Sequence, residues 1–195
     1  MDFNLFTPTK LLFGRGKLNE LGNQKLPGKK ALLLISSGKS VKVNGTLDRV
    51  MAQLEKAGVA YTICNNIHEN PSKEVVMEAA ACAKENGCDF ILALGGGAVL
   101  DAAVAVAAMA TNPGDLWDYV CGGTGKAQPL QHPGLPIVTI ATTSGTGSEI
   151  NCWGVISNHE TNEKIGFGTP ELNPVLAIVD PELMRTVPAK YTAYQ

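Results

Sequence analysis

A doubly wound α/β domain with a Rossmann-like, mainly parallel sheet is what these 195 residues predict, and three observations predict it. Short apolar runs alternate with longer stretches of helical periodicity, the pattern of strands feeding crossover helices. One run, "CDFILAL" (88–94), is almost continuously apolar, as a parallel strand covered on both faces must be. Two strands then run straight into glycine-rich loops, "GGG" (95–97) and "TTSGTGSE" (142–149), at the carboxyl ends where open α/β sheets place ligands.

The elements follow in order. "TKLLFGRG" (9–16) reads as a short strand entering a glycine turn, and "KKALLLISS" (29–37) as a buried strand. "NGTLDRVMAQLEKAG" (44–58) puts Leu47, Val50, Met51 and Leu54 on one helical face, with Gly58 as its stop. "VAYTIC" (59–64) is a strand, and "NPSKEVVMEAAACAKENG" (70–87) a helix with Ser72 as N-cap and Gly87 past its end. After the strand at 88–94 a helix starts from Ala98, and "NPGDLWDYVCGGTGKAQPLQHPGLP" (112–136) reads as a Gly/Pro-rich loop. "PIVTIAT" (136–142), "WGVIS" (153–157) and "VLAIVD" (175–180) complete the strands. No repeat, low-complexity tail or interdomain linker is visible, so the whole chain, 1–195, reads as a single domain.

Composition narrows the function. A net charge of −2 with no local Lys/Arg cluster gives no field for nucleic acid. The five cysteines are odd in number and form no C-x-x-C pair, which argues for reduced thiols in a cytoplasmic chain and against a disulfide framework or zinc knuckle. The N-terminus lacks the pattern of a signal peptide, and the alanine-rich tract after Gly97 is too short to span a bilayer.

The two glycine loops carry the chemistry. A helix start has unpaired N–H groups and partial positive charge, which attract anions. Glycine lets a phosphate approach the backbone and permits positive φ. Alone, the triplet is equally a phosphate cradle or a tight turn, and it is not the G-x-G-x-x-G fingerprint. The second loop adds five hydroxyls, Thr142, Thr143, Ser144, Thr146 and Ser148, around Gly145 and Gly147. Two such loops at strand ends together favour one polyanionic ligand, with a dinucleotide pyrophosphate the natural candidate.

"LGGGAVLDAA" followed by "TTSGTGSE" resembles the iron-containing, metal-dependent alcohol dehydrogenases, which share the dehydroquinate synthase-like fold. "TPTKLLFGRGKLNELG" resembles that family's opening, and "NPVLAIVDPELMRTVPAKYTA" its crossover into a helical second domain. "SGKSVKVNG" and "GSEINCWGVISNHETNEKIG" look most like its butanol dehydrogenase and broad-range aldehyde reductase branch. The resemblance implies a pyrophosphate loop at Gly95, Gly96 and Gly97, with Asp101 as the acid that follows it. It implies that Thr142, Thr143, Thr146 and Ser148 line the nicotinamide, ribose and diphosphate. Lys164 would contact a ribose, and Asn70 would sit near the adenine half. By themselves, Lys164 is a solvated surface lysine and Asp101 a first-turn acid favoured by the helix dipole.

Two positions depart from the family pattern: Ala98 stands for a serine and Val104 for a lysine. The lost hydroxyl removes a contact worth roughly 0.5–1.5 kcal/mol. NAD-preferring enzymes commonly place an acid after a strand to accept from the ribose hydroxyls and repel a 2′-phosphate. Here that position is Gly38, flanked by Lys39 and Ser40, so NADP(H) is expected over NAD(H).

The family's metal ligands, an aspartate and three histidines, come mostly from the helical second domain. His68, His132 and His159 match none of them and lack H-x-x-x-H spacing. The chain is therefore expected to be the cofactor half of an enzyme acting on small alcohols and aldehydes. It is expected to be inactive alone, to need iron or zinc only with the second domain, to bind neither membrane nor nucleic acid, and to form a homodimer or self-associate through residues 153–195. A glycerol dehydrogenase or dehydroquinate synthase relative and a non-catalytic nucleotide- or partner-binding module stand as alternatives.

Overall fold

The computed structural model describes residue 2 and residues 6–194, and the N-terminal stretch read as lacking a leader falls partly outside these. The core is a six-stranded sheet, every pairing of which is parallel. Its strands are β1 (Lys10–Phe13), β2 (Lys30–Ser36), β3 (Ala60–Ile67), β4 (Phe90–Gly95), β5 (Ile137–Ala141) and β8 (Leu176–Val179), in the order β1-β8-β5-β4-β2-β3. β4 and β5 are buried at every position, as central strands covered on both faces require.

Alternation along β2 divides the interior. Ala31, Leu33 and Ile35 face one cluster with Leu47, Val50 and Leu54 of helix α2 (Thr46–Lys56) and with Leu18 and Leu21 of a 3-10 turn. Leu32 and Leu34 face the other cluster, with Val76, Ala79 and Ala83 of α3 (Lys73–Glu85) and the whole apolar length of α4 (Gly97–Met109). Helices therefore cover both faces. Ser72 caps α3 by accepting from Val75 N, and Gly58 and Gly87 adopt positive φ just past α2 and α3, as their positions in the sequence demand.

Ten of the 13 residues of α4 are buried, which explains its alanines: sheet, α3 and a β-hairpin all press on it. That hairpin, β6 (Trp153–Asn158) with β7 (Glu163–Gly168), is a separate antiparallel pair. At Gly154 a Cβ would lie 2.2 Å from the Asp101 carbonyl oxygen, so only glycine lets β6 rest on the helix. β7 is missing from the sequence reading because "EKIGFG" holds two glycines and alternates only weakly. The 112–136 segment contains a short helix, α5 (Leu116–Tyr119), held by an Asp115–Asp118 capping box. β3 also runs three residues past "VAYTIC", to Ile67.

A fully buried carboxylate fastens the sheet's far edge. Asp180 accepts from Gly16 N, Leu18 N and Glu182 N at 3.0–3.1 Å, joining the end of β8 to the turn after β1. A second tie joins α3, α5 and the hairpin turn: Lys73 Nζ lies 2.8 Å from Glu160 and 3.4 Å from Asp115.

Candidate functional site

The chain passes from β2 outward to β3, then crosses back to β4 on the other side of β2. This reversal leaves a crevice between the carboxyl ends of β2 and β4, the position at which open α/β sheets bind ligands. A cleft of about 790 Å³ lies there. Its walls are Ser36–Gly38 and Ser40 from the end of β2, Ile67–Glu69 from the end of β3, Gly96–Val99 from the start of α4, and Thr143 and Thr146. A second cleft of about 430 Å³ adjoins it across Gly97, Ala98 and Thr146, and brings Asn70, Asp101, Ser148 and Lys164 together with Asn151 and Trp153.

The two glycine loops are built against each other. Thr142 N donates to the Gly95 carbonyl at 3.0 Å, locking the ends of β5 and β4 in step. Thr139 Oγ1 donates to the Glu149 carbonyl at 2.8 Å and folds the second loop back over its own strand. Within that loop Gly145 and Gly147 take φ of 101° and 68°, so these glycines serve conformation. The triplet does not: none of Gly95, Gly96 and Gly97 is among the positive-φ glycines. They are small because of what packs on them. A Cβ at Gly95 would meet Val99 Cγ2 at 2.6 Å, at Gly96 Thr143 Oγ1 at 3.1 Å, and at Gly97 Thr146 Cγ2 at 2.9 Å. Of glycine's two uses, close approach and positive φ, the triplet therefore relies on close approach.

No side chain caps α4, whose N-cap is Gly96, so its amino end opens on the cleft with backbone donors. Asp101 accepts from Val155 N at 3.0 Å, bracing the hairpin against the helix beneath the second cleft. Lys164 Nζ donates to Asn70 Oδ1 at 2.6 Å, which unites two residues far apart in sequence; Asn70 holds φ of 53° to present that oxygen.

Not every expected residue converges. Gly95 is buried and Lys39 lines neither cleft, although Gly38 and Ser40 on either side of Lys39 do. Thr142 faces a third cleft of about 480 Å³ with Ser40, Glu69, Leu183, Tyr191 and the 186–188 stretch. Val104 is 1% exposed in the core, so its position is a packing site in this chain and contributes nothing to the cleft's charge. His68, which matches none of the family's metal ligands in the sequence, lines the large cleft with its Nδ1 2.8 Å from Ser37 Oγ. Its only sequence signal was position, just past a strand that neighbours the switch point.

Besides backbone donors and hydroxyls, the two clefts hold the side chains of His68, Glu69, Asp101 and Lys164. Burial pushes the Cys64 thiol up to about 11, and burial raises Cys88 and Cys152 as well, so these thiols stay protonated. All five cysteines are free. Among the described residues no three His, Cys, Asp or Glu side chains come together as a metal site, and no helix is long and apolar enough to cross a membrane.

A doubly wound parallel sheet with two interlocked glycine loops at its switch point defines a Rossmann-like α/β protein. Residues 8–181 match the iron-containing alcohol dehydrogenase family, and the chain belongs to it. It is 42% identical over 193 residues to the probable NADH-dependent butanol dehydrogenase 1 of Bacillus subtilis, covering 99% of this chain and 49% of that protein. It is 35% identical over 194 residues to an NADPH-dependent aldehyde reductase of Escherichia coli, covering 98% and 48%. The crystal structure of NADH-dependent butanol dehydrogenase A from Thermotoga maritima superposes with a TM-score of 0.89 at 36% identity, covering 99% and 48%. The chain spans about half the length of the curated relatives it matches.

Proposed function

We propose that this chain forms the nicotinamide dinucleotide-binding part of an oxidoreductase that interconverts alcohols with aldehydes or ketones. The observation that carries it is the meeting of two glycine loops at the uncapped start of α4, in a cleft long enough to continue over the ends of β2 and β3. Backbone N–H groups of Gly97 and Ala98 hold the pyrophosphate, helped by the hydroxyls of Thr143, Thr146 and Ser148. Gly96 and Gly97 let the second loop pack directly onto the start of α4, which brings Thr143 and Thr146 beside those amides. Asp101 and Lys164 line the continuation in which the second ribose and nicotinamide rest; Asn70, expected from the family resemblance near the adenine half, joins them there through its bond to Lys164. The bound nicotinamide supplies the hydride exchanged with the substrate carbon.

NADP(H) is the preferred form. Gly38 and Ser40 face the cleft with no carboxylate at the position that would accept from a ribose and repel a 2′-phosphate. Gly38→Asp should weaken NADPH binding and leave NADH about unchanged. Relatives carrying either cofactor in their names, NADH at 42% identity and NADPH at 35%, make this a property of the site and not of the family.

The described residues of this chain do not provide the family's metal site, since no cluster of ligating side chains exists among them. The 195 residues alone are therefore expected to bind cofactor without turning over a short-chain aldehyde. Fluorescence titration with NADPH, run beside an assay of NADPH loss with butyraldehyde and added iron or zinc, tests both halves. Failure to bind either nucleotide refutes the reading; chelator-sensitive turnover refutes the division of labour.

A further inference from the structure

The walls of the second cleft are mostly polar, and one lining residue stands apart from them. Trp153 is 55% exposed there, and of the described residues that line the two clefts it is the only Phe, Tyr or Trp. Strand alternation puts it on the outer face of β6. Gly154 and Ile156 are buried on the α4 side, while Trp153 and Val155 lie on the other face and line the cleft.

The hairpin leaves the indole uncovered. Its cross-strand partner is Gly168, and that of Val155 is Gly166, where an added Cβ would meet nothing within 4 Å. An exposed aromatic on an antiparallel pair ordinarily gains stabilisation from the side chain opposite, and here there is none. The backbone beneath it is nevertheless held on both sides. Asn151 donates to the Gly147 carbonyl at 3.1 Å and accepts from Trp153 N at 2.8 Å, which ties Trp153 to the second glycine loop. Two residues on, Asp101 of α4 accepts from Val155 N.

We propose that Trp153 packs on the nicotinamide ring of the bound dinucleotide. The inference deepens the cofactor reading above and rests on it. With the pyrophosphate on the start of α4, the adenosine half lies over the end of β2, beside the short helix α1 (Ser40–Val43). The nicotinamide half then extends into the second cleft, which shares Gly97, Ala98 and Thr146 with the first. A nicotinamide ring is flat, with two faces to take out of water, and Asn70, Asp101, Ser148 and Lys164 offer those faces nothing apolar. An indole already fixed at the cleft covers one face at little ordering cost and leaves the other for the substrate.

The test compares two ligands that differ by that ring alone, NADPH and 2′-phospho-ADP-ribose. Kd for each is measured by calorimetry in the unsubstituted chain, in Trp153→Leu and in Trp153→Phe. Both substitutions fall at an exposed position with a glycine opposite, so the fold and the thermal midpoint should be retained. Trp153→Leu should weaken NADPH binding about three- to tenfold, the worth of one aromatic pair, and leave 2′-phospho-ADP-ribose unchanged. Trp153→Phe keeps an aromatic face and should keep most of the NADPH affinity. Unchanged NADPH affinity in Trp153→Leu, or an equal loss for both ligands, overturns the contact with the ring while leaving the pyrophosphate site intact. Absence of binding of either ligand by the unsubstituted chain overturns the cofactor reading together with it.

Discussion

Gly97→Ala separates a cofactor-holding role for the glycine loop from a merely structural one. Gly97 opens α4 at an ordinary negative φ, so alanine meets no backbone strain and gains helix propensity of about 0.5–1 kcal/mol. Against this, the new Cβ would sit 2.9 Å from Thr146 Cγ2 and 3.4 Å from Thr146 Cβ, an overpacking that typically costs about 1–3 kcal/mol. The net is a loss of about 1 kcal/mol, and the thermal midpoint should fall by only about 2–4 °C. Affinity should move much more. Thr146 must swing away from α4, which carries off one hydroxyl partner of the phosphate, and the methyl narrows the gap. Losing one charge-assisted hydrogen bond of about 1.5–3 kcal/mol weakens NADPH binding roughly 10- to 100-fold. Thr146→Ser removes the clashing Cγ2 and retains the oxygen that accepts from Ser148 N at 3.3 Å. The double variant should therefore recover most of the affinity, a coupling that a cycle of four titrations and melts reads directly. Gly97→Ala binding NADPH as tightly as the unsubstituted chain, or a double variant no better than the single, would refute the interlocked-loop argument.

Further outcomes follow from the same contacts. Asp180→Ala leaves three backbone donors without their buried acceptor and should cost at least about 3 kcal/mol in urea unfolding, with no change in binding per folded molecule. Asp101→Asn keeps an acceptor for Val155 N and should be close to neutral in stability, whereas Asp101→Ala should loosen the hairpin by about 1 kcal/mol, visible as faster amide exchange in β6. Glu163 accepts from Thr124, Thr161 and Trp117, which pull its carboxyl from the ordinary 4.5 down to about 2. Its folded value lies below its unfolded one, so its stabilisation is present above about 4.5 and is lost as pH falls toward 2; Glu163→Gln should lose less stability than the unsubstituted chain across that window in an acid titration. Exposed Phe6, Phe13, Trp153 and Tyr194 should make the chain self-associate at high concentration, and light scattering from a monodisperse monomer would count against it.

Much of the fold was legible because its signals are local. Helix α3 was bounded by Ser72 and Gly87, which cap through their own side chain and φ, and β4 by a run of apolar residues that only a strand buried on both faces tolerates. The hairpin was harder to read, since β7 draws its stability from α4 and β6 and carries little periodicity of its own. The site divides in the same way. The glycine loops were visible as composition, but the reason for the triplet was not: nothing in "GGG" says that Thr143 and Thr146, nearly fifty residues on, fill the space a Cβ would take. Likewise, the Asn70–Lys164 bond and the entry of His68 into the cleft depend on which strands become neighbours. That is a property of topology and invisible to spacing.

The central claim is that a dinucleotide lies across the carboxyl ends of β4 and β2 with its pyrophosphate on the start of α4. A crystal structure of the chain with NADPH tests it most directly. The account predicts pyrophosphate oxygens within hydrogen-bonding distance of Gly97 N and Ala98 N, and the phosphorylated ribose over Gly38. Density for the nucleotide elsewhere, or a pyrophosphate that leaves those amides untouched, would contradict it.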